Sequence, residues 1–541
     1  MFKNIINILL GIVLVFLVSG CEISITDSST DTNATNTIIE EKPVLNDSTF
    51  AVDENLAVGS VIGRVDVVSQ GSSQITSYAI DDTVNFEVLN DGTLKNRVSF
   101  DYETQHEYDF NVYATNSVGE SAAAVVHVTI NDVYEALKRK IPTVVIIMNW
   151  SDYSEDNPTL WHDKIFNVTK NSVNRWYAEN TVNQIEFTPV HETQGIADDG
   201  IIMVNMNKNH PGGSNDETFR DTEIKNAISN AAVVDNMDFA ALDRDGDGSL
   251  SAQELQIIFI VAGGEQSYGD SVRHSVWAHA WAFDSTSTLK VHGVYVMRTS
   301  TDNAKSGMYA RFGANHGDHK ATIGIMCHEL GHAAFFLKDY YDNSGGSGLG
   351  WYDIMSDGAW ASQTSDIYPG ETPTQYTAFN KIDAGLDVNV TTLSKSATVT
   401  LGCSGRDFVK LTSSKTNEYF LLGCRDTAKS NSDISLSTAD SAFGENTLFT
   451  MMYHVDTNKE DNTQDGAQTA DYHYKVAVVE KDGSKLMTST AGIYADFSDV
   501  YTEGDLIIKT DLYDGSSTGY SVEVVNADYI NRKMTLKVTK R

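Results

Sequence analysis

The run His328-Glu329-Leu330-Gly331-His332 holds two imidazoles and a carboxylate within five residues. On a helix, residues four apart share a face about 5–6 Å from each other, so both rings can reach one Zn²⁺. Glu329 lies beside them and can take a proton from water on that metal, whose pKa falls to about 7 on ligation. Such a run arises by chance roughly 0.02 times in a chain of this length, so two histidines merely satisfied in a core helix explain it poorly.

A second constellation runs from Asp243 to Glu254: Asp-Arg-Asp-Gly-Asp-Gly-Ser-Leu-Ser-Ala-Gln-Glu. Its spacing fits an EF-hand-like loop for Ca²⁺. Asp243, Asp245 and Asp247 present carboxylates, Gly248 makes the turn, and Ser249 offers a backbone carbonyl. Ser251 takes the often water-mediated position, and Glu254 can bind bidentately. A single loop suits a structural staple better than a sensor, because sensors work by opening paired helices.

Elements must hold these groups. The apolar lead-in Ile323-Gly324-Ile325-Met326-Cys327 and the run 333–337 fit a buried helix around the histidines. Cys327 turns away from His328 and reads as a small core residue. His316 and His319 fall in what reads as a loop before that helix. Thr143-Val144-Val145-Ile146-Ile147-Met148 reads as a buried strand, and Ile165, Val168, Val173, Trp176 and Tyr177 as the apolar stripe of one helix. The run 255–262, after the acidic loop, is helix- or strand-like. Alternation returns beyond about residue 388, which predicts a β-rich domain over 389–541. There Cys403 and Cys424 end adjacent β-like runs, a pair suited to a disulfide in an oxidising compartment if their Cα atoms lie within about 7 Å.

Composition sets limits on partners. The chain has 541 residues, 39 basic and 74 acidic, for a net charge of −35. That excludes a dedicated nucleic-acid binder, which needs clustered Lys and Arg. Residues 1–21 carry Lys3, an apolar stretch too short to span a bilayer, and Val18-Ser19-Gly20-Cys21. This resembles a bacterial lipoprotein signal, which implies lipidation of Cys21 and a cell-envelope location, lipid-anchored to the outer membrane or cell surface, or secreted. Residues 22–42 are polar and read as a flexible tether. Residues 43–134 alternate with period 2 and predict an all-β sandwich. They resemble a cadherin repeat in Asp53-Glu54-Asn55, Asp91-Gly92-Thr93-Leu94, Asp101-Tyr102-Glu103 and Ile130-Asn131-Asp132-Val133. That likeness implies Glu54, Asp101, Glu103 and Asp132 as contributors to Ca²⁺, although one repeat lacks the full acidic linker.

The remainder resembles the immune inhibitor A family of bacterial secreted zinc metalloproteases over 141–541. The likeness rests on Ser172-Val173-Asn174-Arg175-Trp176-Tyr177, Val276-Trp277-Ala278-His279-Ala280-Trp281 and Trp351-Tyr352-Asp353-Ile354-Met355-Ser356. It extends to Glu418-Tyr419-Phe420-Leu421-Leu422, Tyr453-His454-Val455-Asp456 and Val478-Val479-Glu480-Lys481-Asp482-Gly483. It implies an α+β zincin domain, metzincin-like, over 140–388, with Met355 in a turn beneath the metal. Family members place a Gly three residues after the second His and an Asp ligand three beyond. Here those positions hold Phe335 and Lys338. A one-residue insertion makes Asp339 the third ligand, with Asp342 or a remote residue as alternatives. In unbroken helix Asp339 would lie roughly 10 Å along the axis from His332, out of reach. If Asp339 is the ligand, the chain must therefore leave the helix between Ala333 and Lys338.

The expectation is a multidomain, lipid-anchored zinc endopeptidase with structural Ca²⁺, acting on proteins or peptides, with Glu329 as general base. A surface adhesion or scaffolding protein with a degenerate protease domain is the rival.

Overall fold

The computed structural model describes residues 40–54, 56–100, 105–131, 139–212, 219–269, 274–302, 305–344, 346–428, 431–463, 469–483 and 495–541. The segment expected to be a lipoprotein signal with Cys21, most of the expected tether, and Asp101, Glu103 and Asp132 lie outside them. The chain divides into two compact units, 1–135 and 136–541.

The first unit is a β-sandwich. Glu107–Asn116 and Ala124–Asn131 alternate strictly, so Phe110, Val112, Ala114, Val126, Val128 and Ile130 point to one buried face. These strands pair antiparallel, and Ser48–Asp53 joins Ala124–Asn131 in parallel. A second sheet of Val61–Arg64, Thr93–Asn96 and Phe86–Val88 closes the core with Phe86 and Leu94. At Gly63 a Cβ would meet the Phe50 ring at 2.2 Å, so only glycine fits there. The end of the tether belongs to this body: Glu41 O accepts from Ser72 N–H and Asn116 Nδ2.

The second unit is built on an eight-stranded mixed sheet. Gln256–Glu265 is central, flanked in parallel by Arg139–Asn149 and Tyr309–His316, with His279–Trp281 antiparallel beyond the latter. Arg139–Asn149 and Gln256–Glu265 are covered on both faces, which is why they read as unbroken apolar runs. The run after the acidic loop is thus strand. The single helix expected over 165–177 is two, Pro158–Phe166 and Val173–Asn180. Asn171 turns left-handed between them, Ser172 caps the second by accepting from Arg175 N–H, and Val168 is 63% exposed in the break. His316 and His319 are strand residues, facing each other across a tight hairpin.

Helix Ile323–Phe335 packs against one face of this sheet. The same core takes in Phe408, Leu421, Met451 and Tyr453 from a five-stranded sheet of residues 389–478. A four-stranded sheet of Ala397–Gly402, Lys533–Lys540, Tyr520–Asp528 and Leu506–Ile507 shares a further core with it. There Cys403 and Cys424 form a disulfide with their Cα atoms 4.7 Å apart. Among the described residues no helix is long and apolar enough to cross a membrane.

Candidate functional site

The helix carrying His328, Glu329 and His332 is buried nearly all round. It ends at Phe336, whose φ of 59° is left-handed, with Phe336 N–H donating to His332 O and Leu337 N–H to Gly331 O. Glycine usually fills that position, because a Cβ is strained there. Phe335 packs into the core and Phe336 is half-buried. The turn sends the chain back, and Asp339 Oδ1 stands 3.1 Å from His328 Nε2 and 3.0 Å from His332 Nε2.

The other ring nitrogens settle the tautomers. His328 Nδ1 lies 2.8 Å from Ile354 O, and His332 Nδ1 lies 2.6 Å from Leu337 O. A carbonyl can only accept, so each Nδ1 carries the proton and each neutral ring turns a lone pair inward. The two Nε2 atoms are 3.2 Å apart. The two Nε2 atoms and Asp339 Oδ1 therefore converge, and with both rings neutral this is a set of three acceptors that a cation satisfies. Two imidazoles and a carboxylate, each imidazole oriented by a carbonyl, fit Zn²⁺. Without an ion, protons compete for the same lone pairs. Burial opposes charge on both histidines, but the hydrogen bond to Asp339 raises each above the ordinary histidine value. Burial likewise opposes ionisation of Asp339, and hydrogen bonds from the two rings hold it well below the carboxylate range.

Glu329 stands apart from the triad. Its carboxyl is pushed up to about 8 by burial, against the pull of His328 and with Asp339 adding to the rise. Asp342 does not join the cluster: its carboxylate accepts from Ser344 N–H at 2.6 Å and from the Tyr474 hydroxyl at 2.6 Å.

Met355 lies against the histidine helix. A Cβ on Gly331 would meet Met355 Sδ at 2.5 Å, so the glycine between the histidines is what lets the methionine approach. Asp353, fully buried, shapes that turn by accepting from Met355 N–H, Thr377 N–H and Asn380 Nδ2. Ile354 then offers its carbonyl to His328. Sequence reasoning gave no role to Asp353 or to Tyr341, whose hydroxyl is hydrogen-bonded to Asp339. Asp353 sits inside the quoted Trp-Tyr-Asp-Ile-Met likeness, and Tyr341 lies between the two carboxylates weighed as the third ligand, Asp339 and Asp342, which was the available signal.

In the acidic loop, Asp243, Asp245 and Asp247 gather carboxylate oxygens within 4.8 Å of one another. Glu254 is outside that cluster. Its Oε1 accepts from Arg244 N–H and its Oε2 from Ser251 N–H and Oγ. Ser249 bridges to Tyr295. Gln253 Nε2 donates to Ala334 O at 2.8 Å and Gln256 Nε2 to Ala333 O at 3.2 Å, tying the loop to the last turn of the histidine helix. Of the acids suggested by the cadherin likeness, Glu54 alone is described, and it is buried.

A buried helix with a convergent acceptor triad and a carboxylate beside it defines a metallopeptidase-type centre. Residues 203–387 match the family model of the immune inhibitor A peptidase M6 catalytic domain, a span that takes in the acidic loop, the histidine helix, Asp339 and Met355. That family implies a metal. No curated protein matches the chain. Solved structures similar to part of it include mouse cadherin-23 EC22-24, at 21% identity over 20% of this chain and 39% of that one, with a TM-score of 0.17. Chicken VE-cadherin EC1-2 is 24% identical over 17% of this chain and 50% of that one, with a TM-score of 0.16. Drosophila N-cadherin EC1-4 is 19% identical over 19% and 30%, also at 0.16. The chain thus spans half or less of each.

Proposed function

We propose that this chain is an extracytoplasmic, lipid-anchored zinc endopeptidase. The observation that carries the reading is the set of inward lone pairs on His328, His332 and Asp339, beside a carboxylate that none of them uses. His328, His332 and Asp339 would hold the zinc, which when bound supplies a Lewis acid for a peptide carbonyl and for water. The chain does the rest. Glu329 receives the proton of the attacking water at its carboxylate and hands it to the departing amine nitrogen. Tyr341 and the carbonyls of Ile354 and Leu337 keep the three ligating groups from rotating. Gly331 and Met355 close the floor against solvent. Ca²⁺ on the 243–254 loop is assigned a structural part, and Cys21 the lipid anchor.

The rival, an adhesion or scaffolding protein with a degenerate protease domain, draws support from the N-terminal sandwich. Its mechanism, lost ligation after the altered spacing, is weakened by the position of Asp339 against both imidazoles.

Glu329→Gln tests the assignment. The variant should bind zinc as the parent does while casein hydrolysis falls by about 10²–10⁴-fold, the range for general acid–base groups. Turnover near that of the parent would remove Glu329 from the mechanism. Absence of zinc from the purified parent, together with absence of hydrolysis, would favour the rival.

A further inference from the structure

The family match ends at residue 387, yet residues beyond it hold both the turn beside His328 and the backbone of Asp339. Arg425 lies in the strand Glu418–Asp426 and is 5% exposed. A buried guanidinium must spend its donors, and this one does so in two directions. Nε donates to Asp433 Oδ2 at 2.8 Å and Nη2 to Asp433 Oδ1, while Nη1 reaches Tyr352 O at 2.5 Å. The Tyr352 hydroxyl is held as well. It lies 2.8 Å from Asp496 O and 3.0 Å from Asp499 Oδ2, and accepts from Asp496 N–H at 3.1 Å. Both ends of Tyr352 are thus fixed two residues before Ile354, whose carbonyl meets His328 Nδ1.

Asn462 serves the other side. It is fully buried, and its amide pairs with Val476 in both senses: Oδ1 accepts from Val476 N–H at 3.1 Å, and Nδ2 donates to Val476 O at 2.7 Å. That pairing leaves its other N–H for Tyr340 O, at 3.4 Å. Asn462 N–H approaches Asp339 O at 3.5 Å, and Asn343 N–H donates to Thr463 O at 3.2 Å. Singly these contacts are long; together they lay residues 462 and 463 along the backbone of 339–343.

We infer that Arg425 and Asn462 are positioning residues of the metal centre. Arg425 acts on His328 through the turn at Tyr352, and Asn462 acts on Asp339 through its backbone; neither touches a ligating atom. The inference rests on the zinc reading above and gives the C-terminal sheets a working part in it, since ligands held from behind keep their angle to the metal. Arginine suits this task because a lysine ammonium lacks the planar fork that serves Asp433 and Tyr352 at once.

The test uses the full chain, stripped with a chelator and reloaded with Co²⁺, whose visible absorption reports the geometry of its ligands. Zinc loss to a chromogenic chelator is the second readout. Arg425→Lys and Asn462→Ala should each alter the Co²⁺ band and speed zinc loss about tenfold, the low end for groups that orient a ligand. If Arg425→Lys does not fold, Tyr352→Phe removes one hydroxyl from the same turn and decides in its place, with the same change at a few-fold. Tyr520→Phe is the control, because its hydroxyl donates to Leu393 O at 2.7 Å in the core shared by the two C-terminal sheets. It should lower Tm and leave both metal readouts unchanged. An unaltered band and unaltered zinc loss in Asn462→Ala and Tyr352→Phe would overturn the inference, as would an equal change in Tyr520→Phe. A parent that binds neither metal overturns the zinc reading itself and this inference with it.

Discussion

The histidine cluster and the 243–254 loop are both legible from residue spacing, yet their lone pairs are treated differently. Around His328, His332 and Asp339 each Nδ1 is spent on a carbonyl, and the two Nε2 atoms and Asp339 Oδ1 face one another. In the acidic loop the carboxylates are already supplied by backbone N–H groups: Asp243 accepts from Gly246 and Gly248, Asp247 from Ser249, and Glu254 from Arg244 and Ser251. Spacing finds both. The hydrogen-bond inventory separates a cluster whose members face only one another from one whose carboxylates are partly satisfied by its own backbone.

The largest effect expected of this contrast is at Asp339. Asp339→Ala should weaken zinc binding by at least roughly 100-fold, as loss of a direct ligand exceeds loss of an outer partner, and Asp342→Ala should change it little. Competition against a chromogenic chelator measures both, and the reverse ranking would mean the other carboxylate is the ligand. Next comes the loop. Asp243→Ala should abolish the stabilisation of the chain by Ca²⁺ and lower Tm by several degrees, at about 2–4 °C per kcal/mol for a domain of this size. Zinc affinity measured promptly should stay within a few-fold. Equal melting of the unaltered chain with Ca²⁺ and with a calcium-selective chelator would count against the loop as an ion site.

A smaller effect belongs to the helix end. Phe336→Val places a β-branched side chain at a φ of 59° and should cost a few degrees of Tm and some zinc affinity. Phe336→Asn, a residue at home in the left-handed region, should be tolerated. Equal melting of the two would show that the turn is not held left-handed. The smallest is a control in the C-terminal sheet. Burial works against ionisation of Glu418, but bonds from His454, Tyr513 N–H and Lys415 hold its carboxyl down to about 2 from 4.5. A depressed folded value means stability present above about 4.5 and lost as pH falls toward about 2. Glu418→Gln should flatten that acid limb, and chelators should leave it unchanged because protein donors alone satisfy this carboxylate. An acid limb altered by chelation would show that an ion is involved there too.

What could be read from sequence followed what is local. His328, Glu329 and His332 are visible because i and i+4 share a helix face whatever surrounds them. Asp339 depended on the family likeness, since nothing about a phenylalanine announces that residue 336 turns left-handed. The stripe through Ile165 and Trp176 reads as one helix because period alone does not register a break at Asn171. Asp353 and Tyr341 were passed over because their parts are set by Thr377, Asn380 and Asp339, brought near only by folding. The alternation of the C-terminal strands was plain. That Leu421 and Met451 share a core with the histidine helix was not, because covering a face is a tertiary fact.

Gln253 of the acidic loop and Gln256, which opens the strand after it, carry one more consequence. Gln253 and Gln256 occupy two carbonyls that a helix leaves bare at its end. A loop that loosens on losing its ion would therefore fray the helix from the end where His332 stands. Deuterium should then enter the amides of residues 334–337 well before those of the first turn. Stripping Ca²⁺ would act on catalysis as a clock rather than a switch, with activity draining away at the pace of that fraying and returning only where it had not run far.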